Sequence, residues 1–466
     1  MNESIINNLI HTSSPGPSPP IQLVHDPIAR NRTVASSNVD KGKLLISVLP
    51  LSTALLPSEK GQRCDFCHRL RSSMTNLYKC SGCASYWYCG SNCQTEAWNN
   101  NHKRICKSYP QFAASPVYEQ LGSYGRTEAL LFSHLVAEFV TPKTTFADTN
   151  EPISAFSIFK SLMPQKSVPT AIPPLSFQPT PAFTSLRLLN DLYARFGNNN
   201  FVIHSHLSSI AHGIFPLSSR LFNHSCTPNA APRYSYAAGR PVRMEIVTLR
   251  PILEGEEITI PYLDPALPFS DRQQTLQISY GFNCSCPLCH LGSNLDETLP
   301  APDNDQLTKL KDPLYEFTGC LLNRQPSLPN SLQNYANIPK SLLPFLHPSV
   351  LLKMSESFSQ AAHGDSISAA LDVGHTLLAV YFLIYPPNYP QIGMHALEMA
   401  KTAWNAVVTD DTAPTTKCLA HAQWYLLAAC EILEIYGPEG DEGGPLEESR
   451  LLRNLLEEEL RAANSQ

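Results

Sequence analysis

The chain has 466 residues, 43% of them hydrophobic and 16% charged, and a formal net charge of -6. This is enough apolar material for two or three cores of ordinary domain size. The charge excludes the globally basic surface that favours nucleic acid, and neither a bilayer-spanning apolar run nor a signal-peptide layout is found. Fourteen cysteines in such a chain predict metal sites or buried thiols rather than disulfides.

In chain order, residues 1–20 are rich in Asn, Ser and Pro, which predicts a disordered tail. Residues 21–62 contain VDKGKLLISVLPLSTALL, which predicts a strand. The cysteine-rich block 63–107 is too small to bury much core, so bound metal must hold it together. Within 108–199, an apolar stripe first predicts a helix, and the Thr-, Pro- and Ser-rich stretch 141–183 then predicts a long surface loop.

Strand signals return in 200–268, where VRMEIVTL is predicted to form a hairpin with EEITIPY through the turn LEG. Residues 269–295 carry a second group of cysteines. From 296 to 466 the sequence predicts only helices, with long apolar stripes at 395–408 and 419–435 and an amphipathic helix at the end. Paired helices of this kind suit an array of helical hairpins.

The clustered cysteines have the spacings of zinc ligands. The first group supplies eight ligands, which is two tetrahedral sites: Cys64, Cys67, Cys80, Cys83, Cys89, Cys93, His102 and Cys106. The second group supplies a third set of four: Cys226, Cys284, Cys286 and Cys289. The alternative is free or disulfide-bonded cysteines, but coincidence seldom gives four paired spacings in so short a block.

Four other residues of the same types are predicted to stay outside the metal sites. Cys320, Cys418 and Cys430 lie in apolar, helix-like sequence, which predicts core thiols. His68 follows the first cysteine pair, and we expect it to be a bystander because the eight positions are already filled.

Five segments together resemble one known family. The block 64–106, with YWYC at 86–89 and Trp98, resembles a MYND zinc finger. The runs RLFNHSCTPNA at 220–230 and GEEITIPYLD at 255–264 resemble the two signatures of SET-domain lysine methyltransferases. NCSCPLC resembles their post-SET cysteine cluster. The order is similar to that of the SET–MYND, or SMYD, family, and YPPNYPQIGMHALEMAK resembles its helical C-terminal domain.

The resemblance implies an α+β multidomain fold. A β-rich SET core would be split by the zinc finger and followed by a post-SET zinc site and an all-α, TPR-like domain of helical hairpins. The finger's ligands would interleave, with Cys64, Cys67, Cys89 and Cys93 on one ion and the other four on the second.

The resemblance also implies an S-adenosylmethionine-dependent protein-lysine N-methyltransferase that acts on histones or other proteins and holds three structural zinc ions. Tyr262 would be the catalytic residue, because a phenol at the end of a lysine channel can orient the amine. The cofactor-binding residues would be Arg30, Asn31, Arg32, Ser205, Asn223, His224, Tyr280 and Phe282. His204, His206 and His212 are predicted to be ordinary structural or surface histidines.

Two positions depart from the family's pattern. Arg30-Asn31-Arg32 stands where the family has a Gly-x-Gly turn, and Ser205 stands where it commonly has an asparagine. Arginine does not freely adopt a positive φ, so we expect S-adenosylmethionine to bind more weakly than in relatives with the glycine turn. The second hypothesis is a weak or inactive zinc adaptor that binds proline-rich peptides through the finger. We expect no sequence-specific nucleic-acid or membrane partner, a monomer, and a location in the nucleus, the cytoplasm or both.

Overall fold

The computed structural model describes residues 3–12, 18–73, 75–139, 154–165, 171–179, 186–295, 300–322, 335–364, 366–409 and 415–463. Up to the middle of the chain its elements are α1 Glu3–Thr12, β1 Ile21–Asp26, β2 Arg30–Ala35, β3 Leu44–Val48, β4 Ser52–Leu55, β5 Tyr78–Lys79, β6 Trp87–Tyr88, α2 Ser91–Ala97, α3 Lys103–Ile105, α4 Tyr109–Ala113, α5 Pro116–Glu119, α6 Ser123–Phe139, α7 Ala155–Ser161 and α8 Leu186–Phe196. The next elements are β7 Asn200–Ser205, β8 Ser208–Ile214, α9 Pro216–Leu221, β9 Asn223–His224, β10 Ala230–Ser235, β11 Arg243–Thr248, β12 Thr259–Ile260, α10 Phe269–Ser279 and α11 Pro287–Ser293. The last are α12 Asn304–Lys309, α13 Lys311–Thr318, α14 Pro348–His363, α15 Ile367–Ile384, α16 Pro390–Thr409, α17 Thr415–Tyr436 and α18 Pro445–Ala463.

Short sheets make up the β-rich part of the described chain. Two are antiparallel and three-stranded, in the orders β10-β11-β3 and β4-β8-β7, and β1 with β2 forms an antiparallel pair. The strands β9 and β12 pair in parallel, with Asn223 opposite Thr259 and His224 opposite Ile260. Buried side chains such as Ile46, Phe215 and Ile260 fill the core between these sheets. The sheets therefore join strands from before and after the zinc-finger block in one core.

The predicted hairpin between VRMEIVTL and EEITIPY is wrong. β11 is flanked by β10 on one edge and β3 on the other, so neither edge remains for the later segment. The chain after β11 instead bridges to the first part of the protein, at Ile252 with Val39 and at Glu257 with Val34, before β12 pairs with β9. Local turn chemistry favoured the hairpin, but long-range pairing decided the register.

The predicted disordered tail is wrong over α1. Ile6 and Ile10, one turn apart on this helix, are fully buried. The side-chain amide of Asn7 donates to the carbonyl oxygen of Leu23 at 3.1 Å, and its oxygen accepts from the Leu23 N–H at 2.9 Å. Docking onto β1 stabilises a helix that is too short to persist on composition alone.

The predicted surface loop at 141–183 is wrong over α7. The hydroxyl of Ser154 caps this helix by accepting from the N–H of Ser157, and Phe159 is fully buried. Residues 141–153, 166–170 and 180–183 of that prediction lie outside the described residues. A single buried aromatic residue and a serine cap thus offset the low helix propensity of the stretch.

The predicted helices after residue 296 are confirmed where they are described. The apolar stripe at 395–408 lies in α16, the one at 419–435 lies in α17, and successive helices from α14 to α18 pack against one another. By length and composition α15 is apolar enough to cross a membrane, but 61% of that stretch is buried inside the protein. Burial on this scale is also what the central helix of a helical core requires.

An acidic loop, residues 437–444 between α17 and α18, joins the helical region to the rest of the chain. The Asp441 carboxylate is 2% exposed; it pairs with the guanidinium of Arg63 and accepts from the Ser205 hydroxyl at 2.7 Å. The Glu439 carboxylate accepts from the N–H of His206 at 2.6 Å. Burial raises the pKa of Glu439 to about 7, with Asp441 adding to the rise and Arg233 and Arg63 opposing it.

We predict that Glu439→Gln removes a pH dependence of stability. In the unfolded chain this carboxyl loses its proton near its usual pKa of 4.5, whereas in the fold it keeps the proton until about 7. The unfolded state therefore binds fewer protons in this window, and the parent's stability falls as pH rises through it. Urea unfolding at several pH values should show the variant gaining stability over the parent between pH 5 and pH 7, with no further gain above. Glu434→Gln, on exposed α17 surface, is the control, and a pH-independent difference for Glu439→Gln would contradict the prediction.

Candidate functional site

The first zinc-ligand group combines the first and third cysteine pairs of the finger. Cys64, Cys67, Cys89 and Cys93 have all their sulfur atoms within 4.8 Å of one another. The Cys67–Cys89 and Cys89–Cys93 sulfur distances are 3.6 Å and 3.4 Å. A tetrahedral zinc at about 2.3 Å from each sulfur sets neighbouring sulfurs about 3.8 Å apart, whereas a disulfide holds them about 2.05 Å apart. These four residues therefore fit zinc and do not fit disulfides.

The second group combines the second cysteine pair of the finger with the histidine and cysteine that follow the third pair. Cys80, Cys83, His102 and Cys106 are all buried, and His102 Nε2 lies 3.4 Å from the sulfur of Cys80 and 3.7 Å from that of Cys83. The predicted interleaved pairing is thus the one that the structure brings together. His68 belongs to neither group, and its Nδ1 instead lies 3.4 Å from the carbonyl oxygen of Cys64.

A buried polar chain connects the finger to the sheets. The Tyr86 hydroxyl lies 2.9 Å from Nε2 of His134, whose Nδ1 lies 2.7 Å from the carbonyl oxygen of Thr53 in β4. A carbonyl oxygen only accepts, so His134 donates from Nδ1 and accepts from the tyrosine at Nε2. Burial lowers the pKa of His134 to about 3, which keeps this imidazole neutral. The orientation of the finger on β4 is therefore set by directed bonds as well as by packing.

The third group joins Cys226 to the cysteines around the start of α11. Cys226, Cys284, Cys286 and Cys289 place their sulfur atoms within 4.8 Å of one another, and the Cys226–Cys289 distance is 3.5 Å. The metal would tie the segment after β9 to the start of α11. With four thiolates as ligands, the site has no open position and is structural. The remaining three cysteines are buried outside these groups, as predicted for core thiols: Cys320, Cys418 and Cys430.

The parallel pairing of β9 with β12 places Tyr262 beside His224. The Tyr262 N–H donates to Nδ1 of His224 at 3.0 Å, and the Tyr262 hydroxyl donates to the carbonyl oxygen of Phe222 at 2.6 Å. Because Nδ1 accepts, the His224 proton is on Nε2, which faces the sulfur of Cys226 at 3.2 Å. The third metal group therefore orients the histidine that in turn holds the backbone of the tyrosine.

Two aromatic residues after α10 complete a cluster around this pair. The ring of Tyr280 lies 4.8 Å from that of Tyr262, and the ring of Phe282 lies 6.2 Å from that of His224. Burial raises the pKa of Tyr280 to about 12 and raises that of Tyr262 well above its ordinary value. Both phenols are therefore neutral at physiological pH, able to orient a ligand by hydrogen bonds but unsuited to act as a base.

The turn between β1 and β2 carries the predicted Arg30-Asn31-Arg32 site. The Asp26 carboxylate accepts from the N–H groups of Ile28 and Ala29, at 2.9 Å and 2.7 Å, and Arg30 then adopts a φ of 69°. The expectation that arginine avoids positive φ is therefore wrong at this position. The carboxylate cap holds the turn against a cost of about 1 kcal/mol for the left-handed conformation.

The turn is linked to the segment that resembles the first SET signature. The side-chain amide of Asn223 donates to the carbonyl oxygen of Asn31 at 2.9 Å and to Oε1 of Glu257 at 2.9 Å. Asn31 is buried, whereas Arg32 lies exposed on β2 opposite Val24. The structure thus brings Asn31 together with Asn223 and His224, and both amide hydrogens of Asn223 are used within the protein.

Ser205 lies apart from this group. It ends β7, is buried, and donates to Asp441 of the acidic loop rather than to any residue around His224. Burial lowers the pKa values of His204, His206 and His212, which keeps all three neutral, in line with a structural role.

Arg220, at the end of α9, was not among the predicted site residues. Its side chain is 9% exposed, and no described residue accepts a hydrogen bond from its buried Nε. Burial lowers the pKa of this guanidinium, nearby Arg30 lowers it further, and the Glu3 carboxylate opposes both. A buried guanidinium N–H without an acceptor is costly. The one feature of the sequence that points to Arg220 is its position, three residues before Asn223 in the run RLFNHSCTPNA.

The SET-domain family model matches residues 34–263, which include the paired strands, Tyr262 and the first ligand of the four-thiol group. The N-lysine methyltransferase SMYD2 of Gallus gallus is 28% identical over 281 residues, covering 58% of this chain and 59% of that protein. The histone-lysine N-methyltransferase ASHR1 of Arabidopsis thaliana is 26% identical over 418 residues, covering 78% and 82%. The histone-lysine N-methyltransferase SMYD3 of Homo sapiens is 24% identical over 373 residues, covering 77% and 82%.

In sequence, the chain is similar to the SET- and MYND-domain lysine methyltransferases. It spans about three fifths of the length of the SMYD2 proteins it matches.

We predict three zinc ions per folded chain, one for each ligand group. Cys226→Ala should reduce the content to two, because three remaining thiolates bind zinc more weakly than four. Cys320→Ala removes a buried thiol outside the groups and should retain three ions. Elemental analysis of protein purified without added zinc measures both variants. Equal metal loss in the two variants, or one ion or fewer in the parent, would refute the assignment.

Proposed function

We propose that this chain is an S-adenosylmethionine-dependent protein-lysine N-methyltransferase. One observation carries the proposal: the β9–β12 pair gathers Asn223, His224 and Tyr262 against the rings of Tyr280 and Phe282. The first two residues come from one signature-like segment and the third from the other. A cluster that combines amide and imidazole groups with neutral phenols suits a zwitterionic, partly aromatic cofactor and an alkylammonium substrate.

The residues around this cluster fit the amino-acid end of the cofactor. No described residue accepts a hydrogen bond from Nε of Arg220 or donates one to Oδ1 of Asn223. A carboxylate would satisfy the first group and an ammonium the second. The rings of Tyr280 and Phe282 would cover the remainder of the ligand. When bound, the cofactor would supply an electrophilic methyl group on a sulfonium sulfur.

Tyr262 is proposed to position the substrate amine. Its hydroxyl proton is directed at the carbonyl oxygen of Phe222, so the oxygen lone pairs are the atoms left to accept an N–H from lysine. Because the phenol stays neutral, it orients the amine without removing its proton. The surrounding rings exclude water, which favours the uncharged amine that the reaction needs.

We further propose that the zinc-finger block is a MYND finger inserted into the SET core, and that the helical region is a TPR-like domain of helical hairpins that helps to select the substrate protein. Histone or non-histone lysines are the proposed substrates, and the nucleus or cytoplasm is the proposed location. The alternative is a weak or inactive adaptor that binds proline-rich partners through the finger. It is favoured by the two arginines, Arg30 and Arg32, that stand in place of the turn glycines.

We predict that Tyr262→Phe lowers methyl transfer by about 10²-fold or more while zinc content and thermal stability change little. The variant loses the lone pairs that position the amine but keeps the ring in the cluster. Tyr234→Phe is the matched control, because this buried tyrosine also donates to a backbone carbonyl, that of Val202, at 2.8 Å. The assay follows transfer of a labelled methyl group to a panel of histone and non-histone proteins. Full activity in Tyr262→Phe would exclude this tyrosine as the catalytic residue.

We predict that the purified protein binds S-adenosylmethionine and S-adenosylhomocysteine. Calorimetry should give saturable heat, and the melting temperature should rise with ligand concentration because only the folded state binds. A variant with glycine at both 30 and 32 tests whether the turn limits affinity. No heat and no thermal stabilisation at millimolar ligand, in the parent and the glycine variant alike, would favour the adaptor.

A further inference from the structure

The helix α1 places a carboxylate on the turn between β1 and β2. Oε1 of Glu3 accepts a hydrogen bond from the side-chain amide of Asn31 at 2.9 Å. The same oxygen lies 3.7 Å from Nδ1 of His25. Burial of Ile6 and Ile10 against the β-rich core anchors the helix, so the carboxylate is held there by packing as well as by its own hydrogen bond.

The groups around this carboxylate favour an anion. The Arg220 guanidinium is nine-tenths buried with an unpartnered Nε, and α9, which carries it, packs against β2. Arg30 adds a second positive charge to the same region, and its guanidinium donates to the carbonyl oxygen of Ser161 at 3.3 Å. Among the described residues, Glu3 is the only acidic residue whose charge raises the pKa of Arg220. It lies more than 4 Å from the guanidinium, so it offsets the charge without forming an ion pair.

We infer that Glu3 is an internal competitor for the carboxylate end of the cofactor, so that α1 must move away from Asn31 before the cofactor binds fully. This inference rests on the proposed function, in which Arg220 and Asn223 hold the cofactor's amino-acid group, and it adds the side-chain amide of Asn31 to them.

The direction of the effect follows from charge. A bound carboxylate next to Arg220 would bring a second negative charge beside Glu3, and like charges in a partly buried site repel one another. The Asn31 amide would also have to release Glu3 before it could donate to the ligand. A protein whose binding-competent state is only partly populated binds its ligand more weakly by that fraction. Removing the charge of Glu3 should therefore strengthen cofactor binding.

The first experiment is calorimetry with S-adenosylhomocysteine on full-length parent, Glu3→Gln and Glu457→Gln proteins. Glutamine at position 3 keeps the size and the acceptor for Asn31 but removes the charge. We expect about tenfold tighter binding for Glu3→Gln. Glu457, an exposed residue of α18 that pairs with Arg461, provides a control of the same chemistry and should leave the dissociation constant unchanged. Equal or weaker binding by Glu3→Gln would overturn the inference while leaving the proposed function intact.

The second experiment measures amide hydrogen exchange over residues 3–12 with and without saturating S-adenosylhomocysteine. Displacement of α1 predicts faster exchange in the liganded parent, whereas slower or unchanged exchange would mean that the helix stays in place and the inference is wrong. Failure of the proposed function looks different: neither the parent nor Glu3→Gln would bind the ligand or transfer a methyl group, and exchange over 3–12 would not respond to it.

Discussion

The parallel contact between β9 and β12 is two residues long, yet the whole candidate site depends on it. It aligns Asn223 with Thr259 and His224 with Ile260, which puts the Tyr262 N–H within hydrogen-bond distance of the His224 ring. So short a ladder cannot hold its register by backbone bonds alone. The four-thiol group supplies the missing constraint, because Cys226 follows β9 directly and its partners come from the segment before and within α11. Metal chemistry at one end of the segment thus determines the aromatic geometry at the other.

Sequence spacing predicted the metal ligands because paired ligands are local: two residues two to four positions apart can reach one ion whatever the surrounding fold. The assignment of the finger's pairs to two ions came from the family resemblance. The segment from Asn223 to Cys226 is local in the same sense, because its residues are consecutive in the sequence. The turn at Arg30 shows the limit of residue-type rules, because the carboxylate of Asp26 stabilises a backbone conformation that arginine disfavours. The turn is therefore kept with arginine at this position, and the carboxylate stabilises it where glycine would need no such help.

Long-range pairing could not be predicted from local patterns. VRMEIVTL and EEITIPY have all the properties of a hairpin, but the strand β3, far earlier in the chain, occupies the edge that the hairpin would need. Ser205 illustrates the same limit at a single position. Its alignment with a family asparagine suggested a ligand contact, whereas the structure gives its hydroxyl to Asp441, more than two hundred residues away. The helix α1 was missed because two buried isoleucines outweigh a composition typical of disorder.

The division of the β-rich core has a consequence for biosynthesis. β3 pairs with β11, and Ile46 lies opposite Ile246, so about 200 residues must leave the ribosome before that sheet can close. The finger and α6 come in between. The contacts within the finger, and those of α6 with the finger and β4, can form as soon as metal is present, whereas the contacts of the finger with Asp441 and of α6 with β8 need later residues. Contacts between residues far apart in the sequence form slowly, and strand edges that stay unpaired during this time are prone to aggregation. During synthesis the strands β3 and β4 are unpaired, and the early-folding finger, held to β4 through Tyr86 and His134, is the element placed to shield part of that edge. Zinc supply would then affect the yield of folded protein as well as its stability.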